Sequence, residues 1–280
     1  MRRTLRRISP TFALFALLAG GVSAQSVSDI VEDMYASYER QAAGVDNYTL
    51  VQTVMGIEST TYFEKEMVDG RPVFRMRGGA AQGANMNFGL GSDDSGMGDV
   101  YSIGPELIEY ARYAGQEQLG GGSVHVLAID DLSQVSLAQP ATPGDMEFEP
   151  KTGRLYVDTD LMIPRKMEFS GEAMTPDSAH EVTVSIDLQD VRNVQGLLIP
   201  YHTAMQISGL QAMIDPEMQA QLREMEAQLA ALPAEQRQMM ERMLGAQLGQ
   251  LREMASGGGD ALTFDVTVSD VQVNAGPPGA

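Results

Sequence analysis

The most constraining feature of the sequence is the segment 154–208, which holds four short runs of β type separated by turn residues. In its clearest run, from Val182 to Leu188, aliphatic residues alternate strictly with polar ones. A period of two is typical of a β-strand that buries one of its faces. Because the runs follow one another through short connections, the segment predicts an antiparallel meander.

The first 24 residues have the pattern of an export signal. Four arginines precede an apolar run over 12–19, which is too short to span a bilayer comfortably. The tripeptide Val-Ser-Ala at 22–24 supplies the small residues that a signal peptidase requires, so cleavage is expected after Ala24. An uncleaved membrane anchor is the alternative, which the short apolar run disfavours. We therefore expect a periplasmic protein with no stable membrane insertion after cleavage.

Cysteine usage and charge restrict the possible partners. The absence of cysteine excludes disulfides, thiolate metal sites, cysteine nucleophiles and lipid attachment through a cysteine. An exported chain without cysteine is typical of a soluble bacterial envelope protein. Loss of the four leader arginines would lower the formal charge from −19 to −23. A surface this acidic repels nucleic acid and anionic lipid headgroups. Nucleic acid is therefore not an expected partner, and a lipid ligand would be held by its acyl chains.

Helices and further strands flank the meander. A closing strand is predicted over 262–273, where a bulge near Asp270 is expected to place Val271 and Val273 on the other face. The other predicted elements are a first helix over 26–43 capped by Ser28, strands over 46–56, 60–68, 72–77 and 123–129, and short helices over 105–113 and around 131–138.

A helical hairpin, broken at Leu232-Pro233, is predicted over 215–256. Its apolar stripes combine leucine with methionine, and ordinary packing is the first interpretation of such stripes. Methionine also forms adaptable surfaces for acyl chains or partner helices, and its thioether can bind copper(I). The copper candidates are Met218, Met225, Met240 and Met243. The residues expected to form a lid or partner surface are Met218, Leu222, Met225, Met240 and Leu244.

Residues suited to catalysis are sparse. His125, His180 and His202 do not form a paired metal-ligand spacing. The sequence Gly-Ser-Val-His at 122–125 lacks the second glycine of a nucleophile turn. The expectation is a chain without catalytic residues, metal centre or cofactor.

Several segments carry a family resemblance. They are Leu155–Asp158, Ile163–Glu168, Leu198–Tyr201 and Val268–Asn274. Together with the first helix and the strand that begins Asp46-Asn47-Tyr48, they resemble the periplasmic outer-membrane lipoprotein carrier superfamily, the LolA/LolB-like fold, over most of 27–210 and 260–275. The resemblance implies an incomplete antiparallel β-barrel with helices on its concave side. It also implies a cavity that holds acyl chains or lipoproteins in some members, whereas others are envelope sensors. The hairpin 215–256 departs from the compact carrier pattern.

The sequence therefore predicts an α+β fold in which residues 25–280 form one domain. A curved antiparallel sheet, or half β-barrel, would have its concave face covered by the first helix and the hairpin 215–256. The expected function is non-catalytic binding or transport of a lipid, lipoprotein or other hydrophobic ligand, since burial at roughly 25 cal/mol per Å² suffices to hold an acyl chain. The alternatives are an envelope protein-interaction or sensor module acting through the hairpin, and a copper-handling protein. The residues expected to line the apolar cleft are Val51, Met55, Phe63, Met67, Phe74, Met167, Phe169 and Met205.

Overall fold

A computed structural model describes residues 25–54, 56–79, 100–135, 147–174, 178–209, 224, 232–233 and 261–277. Within these ranges no helix is both long enough and apolar enough to cross a membrane. The elements in chain order are α1 (Val27–Ala42), β1 (Asn47–Val54), β2 (Ile57–Val68), β3 (Arg71–Gly79), α2 (Val100–Tyr110), β4 (Ala111–Leu119), β5 (Gly122–Ile129), a 3-10 turn (Leu132–Gln134), β6 (Glu147–Asp158), β7 (Pro164–Met174), β8 (Ala179–Val194), β9 (Leu197–Ser208) and β10 (Ala261–Val273).

The strands form one antiparallel sheet in the order β3-β2-β1-β10-β9-β8-β7-β6-β5-β4. The meander predicted from 154–208 is confirmed as β6 to β9, in which each strand pairs with the next. The last strand, β10, lies between β1 and β9 and joins the two ends of the chain in the middle of the sheet. The sheet is open, with β3 and β4 at its edges.

The sheet curves around helix α1. Ten strands spaced about 4.8 Å apart would span roughly 43 Å if the sheet were flat. Helix α1 has 16 residues, so it is about 24 Å long. It nevertheless contacts both edge strands, β3 and β4, and the central strand β9. The sheet must therefore bend around the helix, as the prediction of a curved, incomplete barrel requires.

One face of the sheet, the inner face, is directed toward α1 and α2 and is mainly apolar. In β7, for example, Met167 and Phe169 are buried, whereas Lys166 and Glu168, which alternate with them, are partly exposed. The same alternation in the neighbouring strands produces a single hydrophobic core shared by both helices and the sheet. The residues of this core that are at most 1% exposed are Ile30, Val31, Ala42, Val45, Ile103, Leu107, Leu127, Val157, Ala173, Val182, Val184, Ile199 and Ile207.

The opposite, outer face is mainly polar. Ser170 and Thr183 face each other there at 3.1 Å, and His202 contacts Asp265 at 2.8 Å. A small apolar cluster interrupts it where Val124, Val126 and Tyr156 are buried together with part of Leu119. The sheet therefore needs a cover on its inner face, and only locally on its outer face.

A β-bulge in β10 has the opposite effect to the one predicted. The register between β1 and β10 shifts where Val51 faces Asp270 and Gln52 faces Val268, so the bulge itself is confirmed. Val273, however, belongs to the same core as Val268. The extra residue changes the phase of the strand, and it returns Val271 and Val273 to the inner face instead of moving them away from it.

The element boundaries correct three other expectations. Ser26, not Ser28, caps α1, because its hydroxyl accepts the Asp29 N–H while the Asp29 carboxylate accepts the Ser26 N–H. Helix α2 begins at Val100, with Pro105 inside it, and β4 follows directly where the sequence predicted helix up to residue 113 and no strand. The export signal 1–24 and most of the hairpin 215–256 lie outside the described residues.

Candidate functional site

Helix α2 covers an apolar part of the inner face. Ile103 and Leu107, one helical turn apart, are each 1% exposed, whereas Ile108, Glu109 and Tyr110 are exposed. A cavity of about 10 Å³ lies beside Leu107, which is the space of roughly one water molecule. Its lining residues are Leu107, Ile129, Gly153, Arg154, Leu155, Met167 and Phe169. Two of the eight predicted cleft residues, Met167 and Phe169, therefore lie beneath α2.

The turn before β7 is fixed by a buried carboxylate. Asp158 is 7% exposed, and its side chain accepts hydrogen bonds from the backbone N–H groups of Asp160 and Leu161 at 3.0 and 2.9 Å. The Arg165 guanidinium contacts the same carboxylate at 2.9 Å and also donates to the Leu188 carbonyl at 3.3 Å. These bonds set the position at which β7 starts and so direct Met167 inward. The Val-Asp and Pro-Arg-Lys segments that carry the family resemblance are thus structural here.

Phe63 and Phe74 lie in a separate aromatic cluster. The Phe63 ring stacks on Tyr48 at 4.7 Å between centroids, and Phe74 contacts the edges of Tyr48 and Tyr38. Burial raises the pKa of the Tyr48 hydroxyl well above its usual value. The cluster fills the inner face over β1 to β3 and joins it to α1.

A cation connects this cluster to α2. The Arg71 guanidinium lies 5.2 Å from the Tyr35 ring centroid and 4.9 Å from that of Tyr101, so one arginine of β3 bridges α1 and α2. Tyr101 also donates to Glu39 at 3.4 Å, and burial with the nearby Glu39 charge raises the pKa of Tyr101. These contacts hold the N-terminal turn of α2 against α1 and β3.

The other predicted cleft residues are dispersed. Met205 is buried in the inner face opposite Ile186 and Phe264. Met67 is 63% exposed beside the β2–β3 turn, outside the core. Val51 alternates with the inward-facing Leu50 and so belongs to the outer face, because its neighbours along the strand face the core. Met55 lies outside the described residues, as do the predicted lid residues Met218, Leu222, Met225, Met240 and Leu244.

A histidine lies inside the core where no polar residue was predicted. His125 is 2% exposed, and its Nδ1 lies 3.3 Å from the Tyr113 hydroxyl and 3.5 Å from the Gln116 side-chain nitrogen. Burial lowers the pKa of His125, and the charge of Asp33 on α1 partly opposes this shift. The pattern Val-His-Val at 124–126 places His125 in phase with Leu127 and Ile129. This alternation is the feature of the sequence that indicates that His125 is buried.

The other two histidines have separate surroundings. His180 contacts the Ser178 hydroxyl at 2.6 Å, and His202 lies between Gln189 and Asp265. Within the described part of the chain, no three His, Asp or Glu side chains are grouped to hold a metal ion.

Comparison with known proteins identifies similar folds but no family. No protein-family model matches the chain, and no curated protein sequence matches it. Among solved structures, it is similar to a DUF1329 family protein from Desulfovibrio piger ATCC 29098, with 12% identity and a TM-score of 0.38 over 90% of this chain and 93% of that one. It is also similar to the LolA superfamily protein NE2245 from Nitrosomonas europaea, with 11% identity and a TM-score of 0.32 over 91% and 96%.

A third similar structure is the MucA/MucB complex of Pseudomonas aeruginosa, with 11% identity and a TM-score of 0.22 over 89% of this chain and 99% of that one. One of these structures is that of a LolA superfamily protein, the superfamily that the sequence resembles.

Proposed function

We propose that this chain is a non-catalytic binding or carrier protein of the bacterial cell envelope, and that it holds a long acyl chain on the inner face of β5 to β7, in the place that the buried side chains of α2 occupy in the structure. The acyl chain would belong to a lipid or to a lipoprotein. The proposal rests on how α2 covers the apolar floor, by which we mean the inner-face side chains of Leu155, Met167 and Phe169. Helix α2 places Leu107 over Leu155, Met167 and Phe169, and Ile103 and Leu107 are the fully buried large side chains among those described in this helix.

The ligand competes with α2 for the same apolar floor. A cavity of about 10 Å³ cannot hold a chain of methylene groups, so an acyl chain must replace the side chains of Ile103 and Leu107. Both the displaced and the entering groups are apolar, and the exchange leaves no buried polar atom without a partner. The floor needs no charged anchor, which agrees with a ligand held by its hydrocarbon portion.

Location in the envelope rests on the sequence of residues 1–24. The arginine-rich start, the short apolar run and the small residues before position 25 are those of an export signal. The formal charge of −19 disfavours binding to anionic membrane surfaces, which suits a carrier that moves between membranes without adhering to them.

Photo-crosslinking tests the proposal directly. A fatty acid with a diazirine near the end of its chain is bound to the delipidated protein, irradiated and located by peptide mass spectrometry. Labelling is expected in peptides that contain residues 100–110 and 147–174, and an excess of unlabelled palmitate should abolish it. A protein that binds no acyl probe after delipidation, or that is labelled only on the outer face, would refute the proposal.

A further inference from the structure

The two edges of the sheet differ in their exposure. On β3, the turn Asp69-Gly70 makes Val68 and Arg71 the first hydrogen-bonded pair, so the backbone groups of Pro72 and Phe74 point away from β2. Pro72 has no N–H, and the Phe74 N–H is donated to the Tyr38 hydroxyl of α1 at 3.3 Å. The chain's own first helix thus occupies this edge.

Within the part of the chain that the structure describes, no element covers the edge at β4 in this way. The turn Gly120-Gly121 pairs Leu119 with Gly122, and Gln118 with Ser123. The Ser123 carbonyl accepts the Thr159 N–H at 3.1 Å and so faces the opposite side of β5. Residues of a non-hydrogen-bonded pair point their backbone groups in opposite directions, so those of Gln118 point out of the sheet. Gln116, two residues earlier and opposite His125, has the same orientation.

These outward groups are available to a partner. Gln116, Glu117 and Gln118 are exposed, and no described residue forms a hydrogen bond with the outward backbone groups of this stretch. Natural proteins usually protect such edges with charged side chains, above all lysine, with proline, with a bulge or with a covering element. Glu117 is the one charged side chain among residues 116–119. The bulge of β4 lies earlier, between Tyr113 and Gly115, and residues 116–119 contain neither proline nor lysine.

From this asymmetry we propose that residues 116–119 are a docking edge for an extended segment of another protein, which adds one strand to the sheet beside β4. The backbone N–H and C=O groups of Gln116 and Gln118 supply the main-chain hydrogen bonds. The side chains on either side of the strand determine which segment fits.

The side chains of β4 favour a basic partner strand. Glu117 and Leu119 share the outer face, where Leu119 packs against Val124, Val126 and Tyr156. A bound strand would place an aliphatic residue beside Leu119 and, two positions away, a lysine or arginine beside Glu117. A second copy of this chain fits less well, because each copy has a formal charge of −19 and antiparallel pairing centred on residue 117 would oppose two carboxylates.

A designed peptide tests the edge. The probe is the capped peptide Thr-Val-Thr-Lys-Thr-Val-Thr, and the control peptide has glutamate in place of lysine. Binding to the purified protein is measured by isothermal titration calorimetry, and hydrogen exchange locates the protected amides. The lysine peptide is expected to bind about threefold to tenfold more tightly than the glutamate peptide and to slow exchange at Gln116 and Gln118.

Two variants at one position separate main-chain from side-chain effects. Gln118→Pro removes the outward N–H without removing a bond to β5, and an edge strand tolerates proline at such a position. It should weaken peptide binding by about tenfold or more, whereas Gln118→Thr, which keeps the N–H, should change it less than about twofold. Equal thermal midpoints in the two variants establish that both are folded.

Three results would overturn the proposal. They are unchanged peptide affinity in Gln118→Pro, equal affinity for the lysine and glutamate peptides, and a dimer of the wild-type protein that Gln118→Pro converts to a monomer. The last result would assign the edge to a second copy of the chain. Binding of acyl chains should be the same in both variants, so the docking edge and the proposed acyl site succeed or fail independently.

Discussion

Affinity for an acyl ligand should rise steeply with chain length if the ligand replaces α2 on the inner face. Exposing Ile103 and Leu107, each 1% exposed in the structure, costs about 1.5–3 kcal/mol per side chain. Each buried methylene returns about 0.8 kcal/mol, so roughly 4–8 methylenes only offset the loss of α2 packing. Association itself costs about 4 kcal/mol or more, equivalent to roughly five further methylenes. Octanoyl ligands should therefore not bind measurably, and only chains about as long as palmitoyl should exceed the break-even length and bind.

Neutral monoacylglycerols with chains of 8 to 16 carbons provide the assay. They avoid the repulsion that an acidic protein exerts on anionic headgroups, and each is used below its aggregation limit. Displacement of a fluorescent acyl probe gives the dissociation constants. Each pair of added methylenes should lower the dissociation constant by roughly tenfold, because about 1.6 kcal/mol corresponds to slightly more than that factor. An affinity independent of chain length would refute the exchange of α2 for ligand.

Truncation of Leu107 should increase ligand affinity in the same assay although it lowers the stability of the protein. Leu107→Ala weakens the docking of α2 by about 2 kcal/mol or more, so less is lost when the ligand displaces the helix. Palmitoyl affinity should therefore increase, by about tenfold or more, although the variant protein is less stable. The matched control is Leu197→Ala, a truncation of a buried leucine at the start of β9, which should lower stability without increasing affinity. A loss of affinity in Leu107→Ala would place the ligand elsewhere.

Three further perturbations test the structural role of single residues. Asp158→Ala should lower the free energy of unfolding in urea by about 3 kcal/mol, because it leaves the largely buried Arg165 guanidinium and two backbone N–H groups without their acceptor. The control is Asp130→Ala, which removes an exposed ion pair and should leave the urea midpoint unchanged. Burial lowers the pKa of His125, so the folded state takes up a proton less readily than the unfolded one and stability falls as the pH drops below about 6.5. His125→Gln should remove that part of the decline in a series of denaturant unfolding curves between pH 7.5 and 5; an unaltered pH profile would contradict the assignment. Gly171→Ala should destabilise by about 2 kcal/mol in thermal unfolding, because a Cβ there would lie 2.1 Å from the Glu149 carbonyl oxygen, while Gly44→Ala, with open space around it, should be nearly neutral.

Alternation of apolar and polar residues predicted most of the sheet. It located the meander, because strands such as β8 bury every second side chain against one continuous core. It missed β4, whose exposed Gln116, Glu117 and Gln118 interrupt the alternation at the edge of the sheet. An edge strand is defined by its backbone hydrogen bonds to one neighbour, and sequence periodicity does not report these bonds.

The fold brings together only some of the predicted cleft residues, for a geometric reason. Phase along a strand tells which residues share a face, and it correctly grouped Met167 with Phe169. It does not tell how far along the sheet the cover extends, so Met67, in phase with the buried Phe63, was included although it lies exposed at a turn. Val51 was assigned to the cleft although it lies on the outer face, because β1 has apolar residues on both sides. Helix α2 covers part of the inner face through contacts between segments that are distant in the sequence, and no local sequence pattern reveals this covering.

The central position of β10 has a consequence for the order in which the strands pair during folding. Residues 261–273 form the bridge between β1 and β9, and Asn274 connects the same region to Asp46 and Gly44 through side-chain hydrogen bonds. Without this strand, β1 to β3 would not be paired with the meander of β6 to β9. Closing a loop of more than 200 residues is slow and comes late in folding. The sheet is therefore complete only once β10 lies between β1 and β9.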